Sequence, residues 1–493
     1  MRNSKRFLGI DIGTSSIKML LVDDTIEIID SVKLDYEISQ PKAGWREVEP
    51  KRWLDLVMQG FKILLSKHDP KTIQAIGITG QMHTTVFLDR EGNSIRPAIL
   101  WDDIRSRELV DRLKTDLKGK EDCVGICKIL STGTSTANLL WLKENEPHHF
   151  KQISKFLISP DYIVYKLTGN CTMDYCGAST SCLYDIYSRA WSHTMRALLE
   201  VKEDFYPIIN PACQCAGKIL KKWAEELGIS EDVMVITGTG DNLTTAVNTG
   251  CIGKGNTAIS LGTSGIIMAE RKQIDSDAKG KPILFSLFGT EFSYLLQGAI
   301  QSNGTAYDWW MKDILGYADH RRINEAFHCA ERKPNLLFYP HLIGEKTIHA
   351  DPMVKGAFIG LSLDITKEDM MLAVIEGLCF GYKELAEKMQ IALDQNKGLF
   401  VVGGGSNSDI WVQTLANIMN VKVLQTTDRV SPAYGIALLS MLANGQKNVL
   451  EKMHSRLLAE SKTYYPDKEL TEFYQSKYEK YVKIYAALNE VLL

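Results

Sequence analysis

The stretch FLGIDIGTSSIKML, residues Phe7–Leu20, is an apolar run that is interrupted by Gly13-Thr14-Ser15 and then resumes. Much later in the chain, AISLGTSGIIMA, residues Ala258–Ala269, repeats the pattern with Gly262-Thr263-Ser264 at the interruption. An apolar run, a short glycine-containing turn and a second apolar run are typical of two strands joined as a hairpin. The sequence therefore predicts the same strand–turn–strand unit twice, and with it two domains of similar type.

The two turns differ in charge. Both expose backbone N–H groups and hydroxyls that suit phosphate oxygens, and the hydroxyls belong to Thr14, Ser15, Thr263 and Ser264. Only the first run carries an acid, Asp11, which suits an outer-shell ligand of Mg²⁺ because this ion keeps several of its waters. A second carboxylate would repel the phosphates. The pair of turns predicts a polyphosphate site; the alternative is two structural turns.

Composition indicates an ordinary globular protein with more than one domain. The chain has 493 residues, of which 45% are hydrophobic and 24% charged, and its net charge is −3. This charge gives no reason to expect nucleic acid or an anionic membrane as a partner. No apolar run is long enough for a transmembrane helix, and the basic start reads as a first strand and not as a signal peptide. We expect a cytoplasmic protein.

The ten cysteines are not spaced as zinc ligands or paired CxxC motifs. Free thiols in a reducing compartment are the expectation. Their closest sets are Cys123/Cys127, Cys171/Cys176/Cys182 and Cys213/Cys215.

Strand and helix patterns alternate along the chain, which favours an α/β class with layered sheets. Helices are predicted over Pro50–Ser66, over Thr366 to about Ile391, with Thr366 as N-cap, and over Glu469–Leu493, where a stripe of tyrosines indicates packing. The domain boundary is expected near residues 245–257, and the two domains are expected to flank a cleft for small ligands.

Two glycine-containing stretches could carry chemistry. In Ile236–Gly250, Asp241 follows Gly238-Thr239-Gly240 and precedes small residues that would start a helix, which suits a base that must reach a substrate hydroxyl; the alternative is a simple N-cap. In Val401–Asn420, a glycine run between a strand and a helix lets a phosphate or a flat ring approach the backbone. Neither GxxxxGK[ST] nor GxGxxG occurs in the chain.

Polar residues also follow an apolar strand in Gly77–Asp89, where Gln81 and His83 occur, and cluster in ILWDDIRSREL, Ile99–Leu109. The second segment combines an aromatic side chain, two acids and Arg105. It is either a polar pocket for a polyol or a capped, solvated helix start.

With these motifs the chain resembles the FGGY family of carbohydrate kinases, from about Phe7 to Leu442. One family signature is similar to Gly356–Gly377, and the other is similar, more loosely, to Thr134–Pro147. The resemblance implies the duplicated actin-like ATPase fold, which is ribonuclease H-like. It implies an N-terminal domain over residues 1–248, with the sugar site, Asp11 and Asp241, and a C-terminal ATP-binding domain over residues 249–493 that ends in a helix.

The resemblance also implies roles for individual residues, and ATP and Mg²⁺ as cofactors. Asp241 is the expected catalytic base and Asp11 is expected near Mg²⁺. The expected sugar-binding residues are Met82, His83, Trp101, Asp103, Arg105 and Asn242. The expected ATP-binding residues are Thr14, Ser15, Gly262, Thr263, Ser264, Gly404, Gly405 and Ser408. An ordinary aspartate has a pKa of about 3.9, so Asp241 is expected to be ionised without special tuning.

Within the family, the sugar-side segments GQMH and WDDxR are similar to those of members that phosphorylate xylulose. The expected reaction is transfer from ATP to a ketopentose, D-xylulose at its 5-hydroxyl. Three positions depart from that pattern, because Thr84, Asn138 and Ile348 stand where glycine, a residue of a Pro-Lys pair and proline are usual. Ribulose, L-xylulose, gluconate and polyols therefore stay open as acceptors, as does an ATP-binding sensor without transfer. A homodimer is a further expectation from the resemblance.

Overall fold

The computed structural model describes residues 5–275, 279–317, 320–426 and 430–492. The chain forms two compact units. Unit 1 consists of Met1–Asn248, Pro282–Leu295 and Val430–His454, and unit 2 of Thr249–Lys281, Leu296–Arg429 and Ser455–Leu493. The chain first leaves unit 1 after Asn248 and returns to it twice, so neither unit is one continuous segment. The division into domains at residue 248 stays a prediction.

The strands are numbered along the chain. They are β1 (Arg6–Ile12), β2 (Ser16–Asp23), β3 (Ile28–Asp35), β4 (Glu47–Val48), β5 (Ile73–Gly80), β6 (Thr85–Leu88), β7 (Ala98–Ile99), β8 (Lys155–Ile158), β9 (Thr172–Asp174), β10 (Tyr184–Asp185), β11 (Ala190–Trp191), β12 (Ile208–Asn210), β13 (Cys215–Lys218), β14 (Met234–Ile236), β15 (Thr239–Gly240), β16 (Thr257–Leu261), β17 (Gly265–Arg271), β18 (Lys281–Phe285), β19 (Ser293–Ile300), β20 (Leu337–Tyr339), β21 (Ala357–Ile359), β22 (Leu399–Val402), β23 (Val423–Gln425) and β24 (Lys462–Tyr464).

The α-helices follow the same convention. They are α1 (Pro50–Leu65), α2 (Arg107–Asp116), α3 (Val124–Ile129), α4 (Ser135–Asn145), α5 (Pro147–Gln152), α6 (Ser159–Thr168), α7 (Tyr175–Ser181), α8 (His193–Leu199), α9 (Lys221–Leu227), α10 (Asp241–Asn248), α11 (Cys251–Lys254), α12 (Asn303–Asp308), α13 (His320–Phe327), α14 (Lys367–Lys388), α15 (Asp409–Met419), α16 (Pro432–Ala443), α17 (Val449–Glu460), α18 (Lys468–Tyr481) and α19 (Ile484–Leu492). None of the helices in the described ranges is long and apolar enough to span a membrane.

The two large sheets repeat one topology. In unit 1 the strand order is β13-β14-β5-β1-β2-β3, with β15 paired to the end of β5. The second sheet has the order β18-β19-β17-β16-β22-β23-β24. In both, the hairpin with the Gly-Thr-Ser turn is central, and its first strand pairs in parallel with a later strand, β5 or β22. The predicted duplication of an α/β unit is confirmed.

Helix α16 covers the central strands of unit 1 at very short range. A Cβ at Gly9 of β1 would lie 1.9 Å from the Ala433 carbonyl oxygen, and one at Gly77 of β5 would lie 2.5 Å from the Ile436 carbonyl oxygen. Only glycine permits this approach of helix to sheet. Because α16 is apolar on all sides, it is suited to such burial.

The predicted long helices are found close to their expected bounds. The helix expected over Pro50–Ser66 is α1. Thr366 caps α14 as expected, since its Oγ1 accepts from the Asp369 N–H at 3.1 Å while Asp369 Oδ2 accepts from the Thr366 N–H at 3.0 Å. The C-terminal segment is two helices, α18 and α19, instead of the single helix predicted, and Leu493 lies outside the described residues. Its tyrosines Tyr474, Tyr478 and Tyr481 are buried as predicted.

Candidate active site

The ends of three parallel strands bring predicted catalytic and sugar-binding residues to one edge of the sheet in unit 1. β1 and β15 both pair with β5, so that Asp11 and Thr239 each lie opposite Thr79. The segment Gln81–His83 follows β5, and Asp241 follows β15 as the first residue of α10. Because parallel strands end at the same edge, these side chains share it.

Asp11 and Asp241 are two carboxylates close enough to affect each other. Burial raises the pKa of Asp11 to about 8, and the negative charge of Asp241 raises it further than the nearby Lys18 lowers it. Burial also raises the pKa of Asp241 to about 6, against the hydrogen bond of 2.7 Å that its Oδ1 accepts from the Asn242 N–H. Burial therefore places the pKa of Asp241 above the ordinary value expected, while a carboxylate with a pKa of about 6 is still mostly ionised at neutral pH.

The acidic pair fits a divalent cation. The Oδ1 atom of Asp11 is buried and accepts no hydrogen bond within the part of the chain that the structure describes. A hard cation with oxygen ligands would satisfy that oxygen and keep both carboxylates ionised. In the described residues no group of three or more His, Cys, Asp or Glu side chains is placed to hold a metal ion. Mg²⁺ is commonly held through one or two carboxylates and waters, so Asp11 could serve it through its hydration shell.

Helix α7 holds the two residues predicted to contact the sugar. His83 has a φ of 71°, a left-handed conformation that is costly for a non-glycine residue, and its Nδ1 lies 2.7 Å from the Thr180 carbonyl oxygen. Met82 is 8% exposed, with its Sδ 3.7 Å from Cys176 Sγ. Cys176 and Thr180 lie four residues apart, on one face of α7. Sequence reasoning singled out the Cys171–Cys182 cluster without finding this role.

Gly240 leaves the space that Met82 occupies. A Cβ at this position would lie 2.5 Å from Met82 Cγ and 2.9 Å from Met82 Sδ. We expect Gly240→Ala to displace Met82 or the adjacent Asp241 and to lower kcat/KM for the sugar by about 100-fold, since misplacement by about 1 Å can cost that much. Steady-state kinetics at saturating nucleotide measures the effect.

Gly404→Ala is the comparison for this substitution, because a Cβ there meets nothing within 4 Å and, since Gly404 belongs to the predicted nucleotide site, any effect is expected in the KM for ATP. It is expected to leave the KM for the sugar unchanged. Equal sugar kinetics for Gly240→Ala and the wild type would show that Met82 is not held by this contact.

Trp101 presents a half-exposed aromatic face near the first Gly-Thr-Ser turn. Its side chain is 41% exposed, and its indole Nε1–H donates to Thr14 Oγ1 at 3.1 Å. Ser15, next in the turn, is exposed. An exposed indole of this kind is suited to pack against the C–H face of a sugar.

Asp103 and Arg105 have a different environment from Trp101. Both side chains are fully buried, and Arg105 Nη2 lies 2.7 Å from Asp103 Oδ2, which also accepts from the Arg46 N–H at 2.6 Å. Arg105 Nη1 lies 2.7 Å from Glu47 Oε1, and its guanidinium stacks 3.9 Å above the Trp45 ring. These contacts brace the loop behind Trp101, and a direct role for either residue in sugar binding stays a prediction.

In unit 2 the second Gly-Thr-Ser turn lies against the start of α12. The Gly262 carbonyl oxygen accepts from the Gly304 N–H at 3.0 Å and from Asn303 Nδ2 at 2.9 Å, and the Thr263 carbonyl oxygen accepts from the Thr305 N–H at 3.3 Å. The carbonyl oxygens are therefore engaged on the side of α12. This fixes the turn without using the hydroxyls of Thr263 and Ser264 that were predicted to meet phosphate.

The glycine run after β22 leads into a short 3₁₀ helix, Gly404–Asn407, before α15. Gly403 has a φ of 90°, which favours glycine, and a Cβ at Gly404 would meet nothing within 4 Å. Gly405 instead packs closely, with a Cβ there only 2.9 Å from Leu261 Cβ. Ser408 is the N-cap residue of α15, and its buried Oγ makes no hydrogen bond within the described ranges. Space at Gly404 and an available hydroxyl suit the predicted nucleotide site.

Comparisons with known proteins show the family of this chain. Residues 6–248 match the N-terminal domain, and residues 257–444 the C-terminal domain, of the FGGY family of carbohydrate kinases. The chain belongs to this FGGY family. A xylulose kinase of Staphylococcus xylosus is 30% identical over 480 residues, which are 97% of this chain and 99% of that protein.

Solved structures show the same fold over the whole kinase. A xyloylose kinase from Brucella ovis has a TM-score of 0.91 and 27% identity, and the match covers 99% of this chain and 100% of that one. A gluconate kinase from Lactobacillus acidophilus has a TM-score of 0.90 and 26% identity, with 98% of both chains covered. The predicted two-domain, actin-like α/β fold is confirmed, and the protein is an ATP-dependent sugar kinase.

Each of the three residues that depart from the pattern of xylulose-phosphorylating members makes hydrogen bonds in this kinase. Thr84 is fully buried, and its hydroxyl both donates a hydrogen bond and accepts one. Asn138 is buried in α4 and donates to the Gly133 carbonyl oxygen at 3.0 Å. The Ile348 N–H donates to Glu345 Oε2 at 2.8 Å, a hydrogen bond that proline could not make. The Thr84 hydroxyl and the Ile348 N–H therefore each have hydrogen-bond partners, so neither departure leaves a buried polar group without one.

Proposed function

We propose that this kinase transfers the γ-phosphoryl group of ATP to the 5-hydroxyl of D-xylulose, with Asp241 as the catalytic base. In this reaction the sugar oxygen bonds to the γ-phosphorus, the bond to ADP breaks, and the hydroxyl proton goes to the Asp241 carboxylate. The observation that carries the proposal is the shared strand edge, at which Asp241, Met82 and His83 meet beside Asp11. The similarity to xylulose kinases over nearly the full chain supports the choice of sugar.

In this proposal the position of Asp241 matters more for the rate than its strength as a base. Phosphoryl transfer has a loose transition state, so the hydroxyl proton is removed late and a carboxylate with a pKa of about 6 is a sufficient base at neutral pH. Asp241 begins α10, and the Thr244 and Thr245 hydroxyls donate to its carbonyl oxygen at 2.8 and 3.0 Å. These bonds hold the first turn of the helix, and with it the base.

Mg²⁺ belongs to the proposal as the partner of Asp11. When bound, it would neutralise phosphate charge, and the buried, unsatisfied Oδ1 of Asp11 is the atom suited to its hydration shell. Thr14 and Ser15 would donate to phosphate oxygens. The nucleotide-binding residues of the proposal are Gly262, Thr263, Ser264, Gly404, Gly405 and Ser408.

A coupled ADP-release assay tests the proposed acceptor. The purified protein is given Mg-ATP with D-xylulose, ribulose, L-xylulose, gluconate or glycerol, beside a blank without sugar. ADP release that is strongest with D-xylulose supports the proposal. Release with another acceptor would overturn the choice of sugar, and release that no acceptor stimulates would favour an ATP-binding sensor over a sugar kinase reaction under these conditions.

Gluconate is the second candidate acceptor. The gluconate kinase structure matches this chain as well in fold as the structures of kinases for xylulose do, with TM-scores of 0.90 and 0.91. Gluconate carries a carboxylate, so it would need a cation in the pocket. The Arg105 guanidinium is already engaged by Asp103 and Glu47, which favours the uncharged ketopentose.

A further inference from the structure

One buried hydroxyl connects the segment after β5 to the loop that carries Trp101. Thr84 is completely buried, and its Oγ1–H donates to Gln81 Oε1 at 2.9 Å. The same oxygen accepts from the backbone N–H of Trp101 at 3.1 Å. Both bonding functions of the hydroxyl are therefore used, one on each side.

The connection continues from Trp101 to the first Gly-Thr-Ser turn. The indole Nε1–H donates to Thr14 Oγ1 at 3.1 Å. On the other side of the loop, a Cβ at Gly133 would lie 2.1 Å from the Trp101 carbonyl oxygen, so the backbone of Trp101 is held between Thr84 and Gly133. The backbone of Trp101 is thus held in place, and the indole is oriented by the hydrogen bond that its Nε1–H donates to Thr14. Part of the side chain stays exposed.

We propose that Thr84 is a positioning residue that sets the orientation of Trp101 toward the sugar and, through the indole, the position of the Thr14 hydroxyl. Gln81, Thr84, Trp101 and Thr14 then form one hydrogen-bonded relay from the sugar-binding segment to the phosphate-binding turn. A sugar that packs against the indole stabilises the relay, and the Thr14 hydroxyl is held where a phosphate oxygen can accept from it. This inference rests on the proposed function in taking Trp101 as a sugar contact and Thr14 as a phosphate contact.

Thr84→Val tests the first step, since valine has nearly the shape of threonine and lacks the hydroxyl. We expect the KM for the sugar to rise roughly tenfold, in line with the loss of a buried hydrogen bond, with a much smaller change in the KM for ATP. Thr84→Ser keeps the hydroxyl and is expected to restore the sugar KM to within about twofold of the wild type, a smaller effect than loss of a hydrogen bond produces.

Thr168→Val is the matched control for removing a buried hydroxyl. Thr168 Oγ1 also makes one bond of each kind, donating to the Val164 carbonyl oxygen at 2.8 Å and accepting from the Asn170 N–H at 3.2 Å. It lies at the end of α6 and is expected to lower the melting temperature without a selective change in the sugar KM. A Thr84→Val variant whose kinetics match those of Thr168→Val would overturn the proposal.

A double-mutant cycle tests whether the relay reaches Thr14. Thr84→Val and Thr14→Val are combined, and kcat/KM for the sugar is measured at saturating ATP. The relay predicts that the combined loss is clearly smaller than the product of the two single losses, because each variant alone already breaks the connection through Trp101. Independent, multiplicative losses would overturn the relay.

Trp101→Phe tests the connection to Thr14 independently, and it can be used if Thr84→Val does not fold. Phenylalanine retains an aromatic face and removes the Nε1 donor, so Thr14→Val is expected to cost clearly less in that background than in the wild type, because only the phosphate contact of Thr14 is then left to lose. An effect of Thr14→Val there as large as in the wild type would contradict the proposal. All kinetics use whichever acceptor the sugar panel identifies, so a failure of D-xylulose as substrate is distinguishable from a failure of the relay.

Discussion

Asp241→Asn is expected to abolish phosphoryl transfer while leaving sugar binding largely intact. Asparagine keeps the shape of the side chain and can still accept the hydrogen bond that the Asn242 N–H donates to Asp241 Oδ1. It cannot take the proton of the attacking hydroxyl. Removing a general base costs about 10²- to 10⁴-fold in rate, and the loss is expected in kcat.

The measurement has two parts, because turnover and binding must be separated. ADP release at saturating sugar and Mg-ATP gives kcat, and titration calorimetry with the sugar gives its affinity. The matched control is Asp232→Asn, which changes an exposed aspartate of the same unit that pairs with Lys218. Near-normal turnover of Asp241→Asn would show that another group, or none, accepts the proton.

The part of the site that lies on strand ends could be predicted from the sequence. Asp11, Gln81–His83 and Asp241 each follow or end an apolar run, and local patterns of this kind depend on neighbours within a few residues. The duplicated hairpin was predictable for the same reason. These residues meet because parallel strands end at one edge, but β15 was predicted as a turn, and it was the family resemblance that placed Asp11, Asp241 and the sugar site together.

Contacts between distant segments were out of reach of such reasoning. Nothing local to residues 432–443 indicates that α16 lies on β1 and β5, because the contact depends on missing side chains at Gly9 and Gly77. Asp103 and Arg105 come two and four residues after Trp101, but their side chains are buried against Arg46 and Glu47, which lie in an earlier segment. In a loop, side chains that are close in sequence can thus differ in burial, because no regular alternation fixes the direction in which each one points.

The raised pKa of Asp241 could not be predicted from the sequence either. An isolated aspartate in a turn titrates near 3.9, and that value served as the expectation. Its value of about 6 comes from burial by the surrounding chain, which no motif encodes. The same holds for Thr84, whose importance depends on two partners that approach from Gln81 and from Trp101.

Lys477→Met is expected to destabilise unit 2 by about 3–5 kcal/mol, the usual cost of removing one partner of a buried ion pair. Lys477 Nζ contacts Glu376 Oε2, and both side chains are 2% exposed. Tyr474 donates to the other Glu376 oxygen at 3.0 Å, so the carboxylate on α14 is held from α18. Burial raises the pKa of Glu376 and Lys477 lowers it, so without the lysine this carboxyl is either an uncompensated charge or takes up a proton.

Urea unfolding, followed by circular dichroism, measures this loss. The control Lys312→Met removes a half-exposed partner of Asp308 in the same unit and is expected to have little effect. The double variant Glu376→Gln/Lys477→Met removes both charges, and we expect it to recover most of the stability because no unpaired charge is left in the core. If Lys477→Met were no less stable than Lys312→Met, the pair would not be what joins α18 to α14, and the buried tyrosines Tyr474, Tyr478 and Tyr481 would have to supply that stability alone.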